Sequence, residues 1–341
     1  MKYVAYRLST PLGEMPRIGY VREDGQIVDL RAVYRLYLRE KEQVFDWETL
    51  ADSVMPDDLL SYIRRGSVCQ EAMEKAKAYF EESGSPERGE EQYLFPKEAV
   101  RLTAPVPFPV SLRDNSAYLQ HIQSSLGGNL PEVYRRRPPC YRGSTTNSIT
   151  SGDEVTWCAG SQFMDYETEI AMVVGAYGYE IKRENALDHI FGLMIFNDFS
   201  ARDIQVDEKQ LSLGPNKGKS FHNCNAFGPM LVTLDEIPDV QNINMRVSVN
   251  GTVMGQGNTR NMSFTMAQLV EYASRSDALY PGEVIGTGTH GKCAGHEVGY
   301  HLKPGDIVEI EMDYLGKLVN RVGPYIDGEH VPVSLPDHKA S

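Results

Sequence analysis

Hydrophobic and polar residues alternate in three short stretches at the start of the chain, residues 3–8, 17–20 and 26–30. A period of two is typical of half-buried β-strands, and Asp24-Gly25 supplies a turn between the last two stretches. The opening residues therefore predict a small β module.

Apolar residues then recur at helical spacing, first over residues 57–65, where Gly66 would end the helix, and next over residues 70–82. Residues 83–91 are polar and contain glycine, and prolines follow at positions 105, 107 and 109. Such a stretch rich in helix and strand breakers is typical of a linker.

The second part of the chain predicts mainly strands with a few helices. Helices are expected over residues 184–196 and 264–274, and Asn250-Gly251 is a strong signal for a β-hairpin. Strands are expected at residues 165–174, 245–250, 252–254, 283–287, 306–313 and 317–322.

The length of 341 residues exceeds what one hydrophobic core usually serves. We therefore expect a small N-terminal domain, residues 1–105, and a larger domain, residues 106–341. Hydrophobic residues make up 41% and charged residues 24%, as in ordinary globular proteins.

A net charge of -13 argues against nucleic-acid and membrane-surface partners, because it repels phosphates and anionic lipids. A small anionic substrate stays possible, because a local group of lysines, arginines and a metal ion can outweigh the net charge. No apolar stretch approaches the roughly 20 residues of a membrane span. The five cysteines are scattered without a C-x-x-C spacing, which favours reduced thiols in a cytoplasmic protein. They are Cys69, Cys140, Cys158, Cys224 and Cys293.

Two glutamates precede an apolar run in DYETEIAMVV. In a strand, Glu167 and Glu169 project from one face, about 6 to 7 Å apart at Cα. A divalent cation would remove the repulsion between them, and carboxylate oxygens favour Mg²⁺, Mn²⁺ or Ca²⁺. The alternative is a solvated edge strand whose glutamates pair with lysine or arginine. Asp198 ends a further apolar run and suits either a metal ligand or a helix N-cap.

With these residues assembled, the chain resembles the fumarylacetoacetate hydrolase family between about residues 113 and 323. The order and spacing of eight short motifs carry the resemblance. They are RDNSAYLQH (113–121), CYRGS (140–144), MDYETE (164–169), IFNDFSARDIQ (195–205), GPNKGKSF (214–221), VNG (249–251), PGEVIGTGTHG (281–291) and KPGDIVEIE (303–311).

The resemblance implies an α+β, mainly β, fold with a mixed β-roll catalytic domain, and a homodimer formed through that domain. It also implies a divalent ion, Mg²⁺ or Mn²⁺ with Ca²⁺ as a further option, that binds the oxygens of a small oxo-acid substrate. The first hundred residues correspond to the variable N-terminal domain that many members carry.

Site residues follow from the resemblance by position. The metal ligands implied are Asp114, Glu167, Glu169 and Asp198. The catalytic residues implied, in the branch resembling fumarylacetoacetase, are His121, Glu297 and Lys219. The substrate-binding residues implied are Tyr141, Arg202, Gln205 and Thr289.

This sequence also departs from the family pattern. Another branch carries a glutamate three residues after the histidine, where this chain has Ser124, and Glu297 is the best match to the glutamate of the fumarylacetoacetase branch. The tyrosine that members often show two residues after the first aspartate is Ser116 here. The loss of that aromatic donor argues against fumarylacetoacetate itself as the substrate.

Other features have ordinary interpretations beside the functional ones. Lys219 could be a solvated loop lysine, and its glycine-rich loop is one residue too short between glycines for a P-loop. The histidines other than His121 are expected to be structural. The run at residues 135–137, three arginines, could guide anions to the site or simply face solvent.

Three functions are consistent with these residues. The leading hypothesis is hydrolysis of a carbon–carbon bond in a diketo-acid such as an acylpyruvate, with His121 activating water. The second is decarboxylation, isomerisation or hydration of an oxo-acid through a metal-stabilised enolate. The third is a non-catalytic protein with a structural cation.

Overall fold

The computed structural model describes residues 1–11, 13–83, 92–146 and 148–328. Most of the polar stretch that predicts a linker, residues 84–91, lies outside the described residues. No helix among the residues described is long and apolar enough to cross a membrane.

The N-terminal part begins with three antiparallel strands and continues with four helices. Its elements are β1 (Lys2–Thr10), β2 (Gly13–Val21), β3 (Ile27–Asp29), α1 (Leu30–Glu40), α2 (Trp47–Val54), α3 (Leu59–Arg65), α4 (Ser67–Ser83), β4 (Leu94–Phe95) and β5 (Arg101–Thr103).

The three predicted strands are confirmed, and Gly25 has the positive φ, 82°, of the predicted turn. Both predicted helices are confirmed as α3 and α4, and Gly66 ends α3 at a φ of 57°. Helices α1 and α2 were not predicted from the sequence. Helix α1 begins at an N-cap, Asp29, whose side chain accepts a hydrogen bond from the Ala32 N–H.

The second part contains most of the strands. Its elements are β6 (Leu112–Asn115), α5 (Leu119–Ser125), β7 (Cys140–Arg142), β8 (Glu154–Val155), β9 (Met164–Asp165), β10 (Thr168–Val174), β11 (Ile190–Asp198), β12 (Ser200–Ala201), α6 (Arg202–Lys209), β13 (Asn225–Thr233), β14 (Asn244–Val249), β15 (Thr252–Asn258), α7 (Met266–Ala273), β16 (Val284–Gly286), β17 (Ile307–Met312) and β18 (Gly316–Val322).

Three sheets organise the described strands. The largest has 11 strands in the order β4-β3-β2-β1-β13-β11-β10-β16-β6-β7, with β5 also paired to β1. A five-stranded sheet has the order β15-β14-β17-β18-β8, and β12 pairs with β9. The pairs β16–β6 and β18–β8 are parallel, and all the others are antiparallel. This mixed α+β architecture confirms the expected fold class.

The predicted helix over residues 184–196 is wrong. The chain forms a short 3₁₀ helix, Arg183–His189, and then strand β11, every residue of which is buried. Strand β11 is an inner strand between β10 and β13, and its side chains pack in a core on each face of the sheet, Leu193 and Ile195 in one and Met194 and Phe196 in the other, so it shows no polar alternation. The helix was predicted because Ala186, Ile190 and Met194 recur at helical spacing, and that spacing was misleading.

The other local predictions are confirmed. Helix α7 begins with a capping box in which Thr265 and Gln268 each accept a hydrogen bond from the other's backbone N–H. Asn250 and Gly251, at φ 50° and 78°, form the turn between β14 and β15.

The large sheet has a hydrophobic core on each face. Along β10, Ile170, Met172 and Val174 pack in one core, while Ala171 and Val173 pack in the other with the N-terminal helices. Strand β1 also pairs with β13 of the second part. The first hundred residues thus share a sheet and a core with the rest, and the domain boundary at residue 105 stays a prediction.

Candidate active site

Three carboxylates from separate strands meet at one end of the large sheet. Asp114 lies on β6, Glu169 on β10 and Asp198 at the end of β11. One oxygen atom of each lies within 4.8 Å of the others, and all three side chains are buried. The structure thus brings together three of the four predicted metal ligands.

A glycine makes the space for this cluster. Gly286 in β16 pairs with Asp114 on one side and with Ala171 on the other. A Cβ at position 286 would overlap the Asp114 carboxylate and lie 3.3 Å from Oε2 of Glu169. In the sequence this glycine stands out only as part of the motif PGEVIGTGTHG.

Burial and mutual repulsion make the three carboxylates reluctant to ionise. Burial first, and then the Asp198 charge, raise the pKa of Asp114 well above its ordinary value. Burial and the Asp114 charge do the same to the pKa of Glu169, and burial raises the pKa of Asp198 against the opposing effect of Lys219. Oδ1 of Asp114 and Oδ1 of Asp198 are buried without a hydrogen-bond partner in the described part of the chain. Such oxygen donors fit a hard divalent cation.

Glu167 has different partners. Its Oε2 lies 2.5 Å from Lys219 Nζ, and its Oε1 lies 2.7 Å from Arg202 Nη2. Burial would raise the pKa of Glu167, but Arg202 and Lys219 hold it well below its ordinary value. Lys219 also contacts Asp198 Oδ2 at 2.5 Å. Glu167 therefore lies beside the acidic cluster as the partner of two cations, and its role as a ligand stays a prediction.

The ordinary interpretations of these residues are wrong. Glu167 and Glu169 are 5% and 1% exposed, so they do not belong to a solvated edge strand. Asp198 ends a strand, and helix α6 begins four residues later with Ala201 as its N-cap. Lys219 is 2% exposed, and so it is not a solvated loop lysine.

A histidine and a glutamate lie on the other side of Glu167. Nδ1 of His121, on α5, lies 3.2 Å from Oε2 of Glu297, and Nε2 lies 3.7 Å from Oε1 of Glu167. The first contact is close but lacks hydrogen-bond geometry, because Nδ1 of His121 forms no hydrogen bond with the described residues. The backbone N–H of Lys292 donates to Oε2 of Glu297 and fixes that carboxylate.

Two residues near the site were not singled out from the sequence. Oδ2 of Asp165 accepts hydrogen bonds at 2.8 Å from Arg202 Nε and lies 2.8 Å from Nδ1 of His296. His296 lies next to Glu297 in the 3₁₀ helix Gly295–Val298. Asp165 thus links the segment that carries Glu297 to Arg202. Asp165 belongs to the motif MDYETE and His296 is the neighbour of Glu297, but sequence spacing does not show that the two meet.

The predicted substrate-binding residues surround the same place. Tyr141 donates a 2.7 Å hydrogen bond to Asp198 Oδ2, Thr289 donates to the Thr168 carbonyl, and Oε1 of Gln205 accepts from Arg202 Nη1 at 3.0 Å.

These side chains border one cleft of about 490 Å³. Nine of the site residues predicted from the sequence line it: Asp114, His121, Tyr141, Glu167, Glu169, Arg202, Gln205, Lys219 and Thr289. Asp198 and Glu297 lie behind this lining and contact it. Ser116, at the position where members often carry a tyrosine, also lines the cleft.

The mixed sheet thus carries buried carboxylates at its strand ends, and these lie beside a histidine in one cleft. Such an arrangement is typical of an enzyme with a carboxylate-rich active site. Comparison identifies the class more narrowly, because the family model described as fumarylacetoacetate (FAA) hydrolase C-terminal matches residues 112–323. The chain belongs to the fumarylacetoacetate hydrolase family, which confirms the resemblance.

Curated relatives cover most of the chain. "Oxaloacetate tautomerase YisK" of Bacillus subtilis (strain 168) is 30% identical over 319 residues, which span 90% of this chain and 96% of the relative. "Oxaloacetate tautomerase fahd2, mitochondrial" of Xenopus laevis is 30% identical over 311 residues, 90% of this chain and 86% of the relative. The chain is accordingly an enzyme, and the non-catalytic alternative is wrong.

Solved structures share the fold. A fumarylacetoacetate hydrolase from Exiguobacterium antarcticum has a TM-score of 0.66 at 24% identity, over 94% of this chain and 99% of that one. A maleylpyruvate hydrolase from Sphingobium sp. SYK-6, in complex with manganese (II) ion and pyruvate, has a TM-score of 0.64 at 19% identity, over 96% and 100%.

Proposed function

We propose that this enzyme interconverts the keto and enol forms of a small 2-oxo-acid, with oxaloacetate as the first substrate to test. Two relatives named for this activity match 90% of the chain at 30% identity, and this observation carries the proposal. The sequence-based hypothesis of carbon–carbon bond hydrolysis thereby becomes the second candidate.

The residues at the cleft suit a proton transfer. In tautomerisation one proton leaves the carbon beside the carbonyl and another reaches the carbonyl oxygen. His121 lines the cleft and lies between two carboxylates, Glu297 and Glu167, so its imidazole has an acceptor on either side. It can take the proton from carbon as a general base and return one as a general acid.

Lys219 supports the same step electrostatically. Its contacts with Asp198 and Glu167 raise its pKa despite burial, so the side chain keeps its positive charge. That positive charge stabilises the negative charge that develops on the substrate oxygen as the carbon loses its proton. The Tyr141 hydroxyl donates a hydrogen bond to Asp198 and so helps to orient that carboxylate.

Asp114, Glu169 and Asp198 would hold a divalent ion, which we propose to be Mg²⁺ or Mn²⁺ on the chemistry of the oxygen donors. When bound, such an ion supplies Lewis acidity that makes the C–H group beside a substrate carbonyl more acidic.

Hydrolysis of an acylpyruvate is the second candidate, and the His121–Glu297 contact favours it. A histidine whose Nδ1 faces a carboxylate is oriented to take a proton from water through Nε2. The same residues thus serve either reaction, and the substrate decides which one occurs.

The two candidates are separated by their products. Protein loaded with Mn²⁺ is given oxaloacetate, and the approach to keto–enol equilibrium is followed by ultraviolet absorbance against a chelator-treated sample. The same protein is given an acylpyruvate, and acid products are identified by mass. Accelerated equilibration without cleavage supports the tautomerase. Two acids from the acylpyruvate, with no effect on oxaloacetate, would replace it by the hydrolase.

A further inference from the structure

The cleft holds three cationic side chains, and two of them already face carboxylates. Arg202 contacts Asp165 and Glu167, and Lys219 contacts Glu167 and Asp198. Both side chains are buried, so their charges are used to stabilise the acidic site. Neither has a free positive charge to offer an anionic group far from the cluster.

Lys209 differs from these two cations. It is the last residue of α6 and lines the cleft, yet it forms no ion pair within the described part of the chain. The carboxylate of its neighbour Glu208 is engaged instead by the backbone N–H groups of residues 216–218. The Lys209 ammonium group is therefore left for a ligand or for water.

Helix geometry directs Lys209 toward the substrate. Arg202, Gln205 and Lys209 are spaced by three and four residues, so they lie on one face of α6, and all three line the cleft. Side chains of a helix lean toward its N-terminus, so Lys209 leans back along this face toward Gln205. Oε1 of Gln205 accepts from Arg202, while Nε2 has no partner among the residues described. One wall of the cleft thus offers an ammonium group and an amide N–H.

Apart from the three cations, the acidic residues and His121, the other residues that line the cleft are apolar or uncharged, with Ser116 and Tyr134 among the polar ones, so none of them adds a positive charge. Ile122 and Leu126, on and just after helix α5, line it together with Pro139 and Pro215. An anionic group that lies away from the acidic cluster finds its charged partner at Lys209.

We propose that Lys209 binds the second carboxylate of the substrate and makes the enzyme selective for dicarboxylic 2-oxo-acids over monocarboxylic ones. This inference rests on the proposed function for the identity of the first carboxylate and oxo group, and it deepens that function by naming the substrate class. A charged hydrogen bond from an ammonium group to a carboxylate strengthens binding roughly ten- to a hundredfold.

The test uses two ligands with the same four-carbon skeleton, oxaloacetate and 2-oxobutyrate, which differ in a terminal carboxylate against a methyl group. Dissociation constants of freshly dissolved ligands are measured by calorimetry on Mn²⁺-loaded protein. The variants are Lys209→Met, which keeps the length of the side chain, and Lys209→Glu, which reverses its charge. Lys217→Met is the matched control, because Lys217 is an exposed lysine nearby that does not line the cleft.

The expected result is that Lys209→Met weakens oxaloacetate roughly ten- to a hundredfold and leaves 2-oxobutyrate within about twofold. Lys209→Glu should weaken oxaloacetate further, and Lys217→Met should change neither ligand. Equal weakening of both ligands would mean general attraction of anions and would overturn the proposal, as would no change in either.

The dissociation constants are measured independently of the rate of tautomerisation, so the two proposals fail separately. If wild-type protein does not accelerate tautomerisation but Lys209 still discriminates the two ligands, the selectivity proposal stands and the proposed reaction does not. If tautomerisation is found and Lys209→Met leaves the discrimination unchanged, only the selectivity proposal is lost.

Discussion

Nδ1 of His121 lies 3.2 Å from Oε2 of Glu297, although the two residues come from opposite ends of the catalytic region of the chain. The sequence resemblance implied this pair, and Glu297 was its least obvious member. The contact brings the Glu297 carboxylate, behind the cleft lining, next to the imidazole of His121, which lines the cleft together with Glu167.

Replacement of His121 should separate chemistry from metal binding. We expect His121→Ala to lower turnover by at least ~10²-fold, because the variant lacks the general base that takes the proton from the substrate. Its Mn²⁺ affinity should be nearly intact. Turnover is measured with saturating metal, and Mn²⁺ binding by calorimetry. His222→Ala, at an exposed histidine, should behave as wild type. A normal rate in His121→Ala would remove this histidine from the mechanism.

Glu297 should act through His121. We expect Glu297→Gln to lower turnover about tenfold in the wild-type background, because the imidazolium loses its charged partner, and to have no further effect in His121→Ala. A double-mutant cycle on the turnover rate measures this coupling. Independent, multiplying losses would show that the two residues do not work as a pair.

Metal binding should stabilise the protein, and more so at higher pH. The pKa values of Asp114 and Glu169 are raised in the fold, so the metal-free protein retains protons that the unfolded chain releases above about pH 4. The metal-free protein therefore loses stability as the pH rises from about 4 through the raised pKa values of these two groups. A bound ion replaces those protons. We expect Mn²⁺ at a hundredfold excess over Kd to add about 2.7 kcal/mol.

The stabilisation by Mn²⁺ is measured as a rise in melting temperature, by calorimetric scans at pH 8 and pH 5.5. The rise should be smaller at pH 5.5, because protons compete with the ion there. Asp114→Asn, which removes one of the three carboxylates, should lose most of the shift at both pH values. A gain that grows on acidification would contradict the proposed site.

Gly286 should be required for metal binding. In Gly286→Ala the added methyl group overlaps the Asp114 carboxylate, so this ligand must move out of the cluster. We expect Mn²⁺ affinity to fall by at least about tenfold, which corresponds to roughly 1.4 kcal/mol. Calorimetric titration measures the affinity, and circular dichroism checks that the sheet is retained. Unchanged affinity would show that the carboxylates do not converge as described.

Asp165 should contribute to stability as well as to alignment of the site. Asp165 is fully buried, and Arg202 and His296 lower its pKa although burial opposes them. We expect Asp165→Asn to lower the free energy of unfolding by about 3 kcal/mol, because a buried arginine loses one charged partner. Urea unfolding measures the change. Asp188→Asn, at an exposed aspartate, is the control, and equal small effects in both variants would contradict the role of Asp165.

Local chemistry was sufficient for several elements. Asn250-Gly251 predicts its hairpin because both residues tolerate positive φ, and the Thr265–Gln268 capping box begins α7. In contrast, β11 was mistaken for a helix, because a strand covered on both faces has no alternation to distinguish it from a buried helix.

The sequence by itself determined the family, the strand-rich fold and the identity of the acidic residues, because these depend on residue types and short spacings. Only the tertiary structure decided that Asp114, Glu169 and Asp198 form one cluster while Glu167 turns to Lys219 and Arg202. That division follows from the order β11-β10-β16-β6 and from the missing side chain of Gly286. Pairing between distant strands sets which side chains meet, and spacing within one segment carries no information about it.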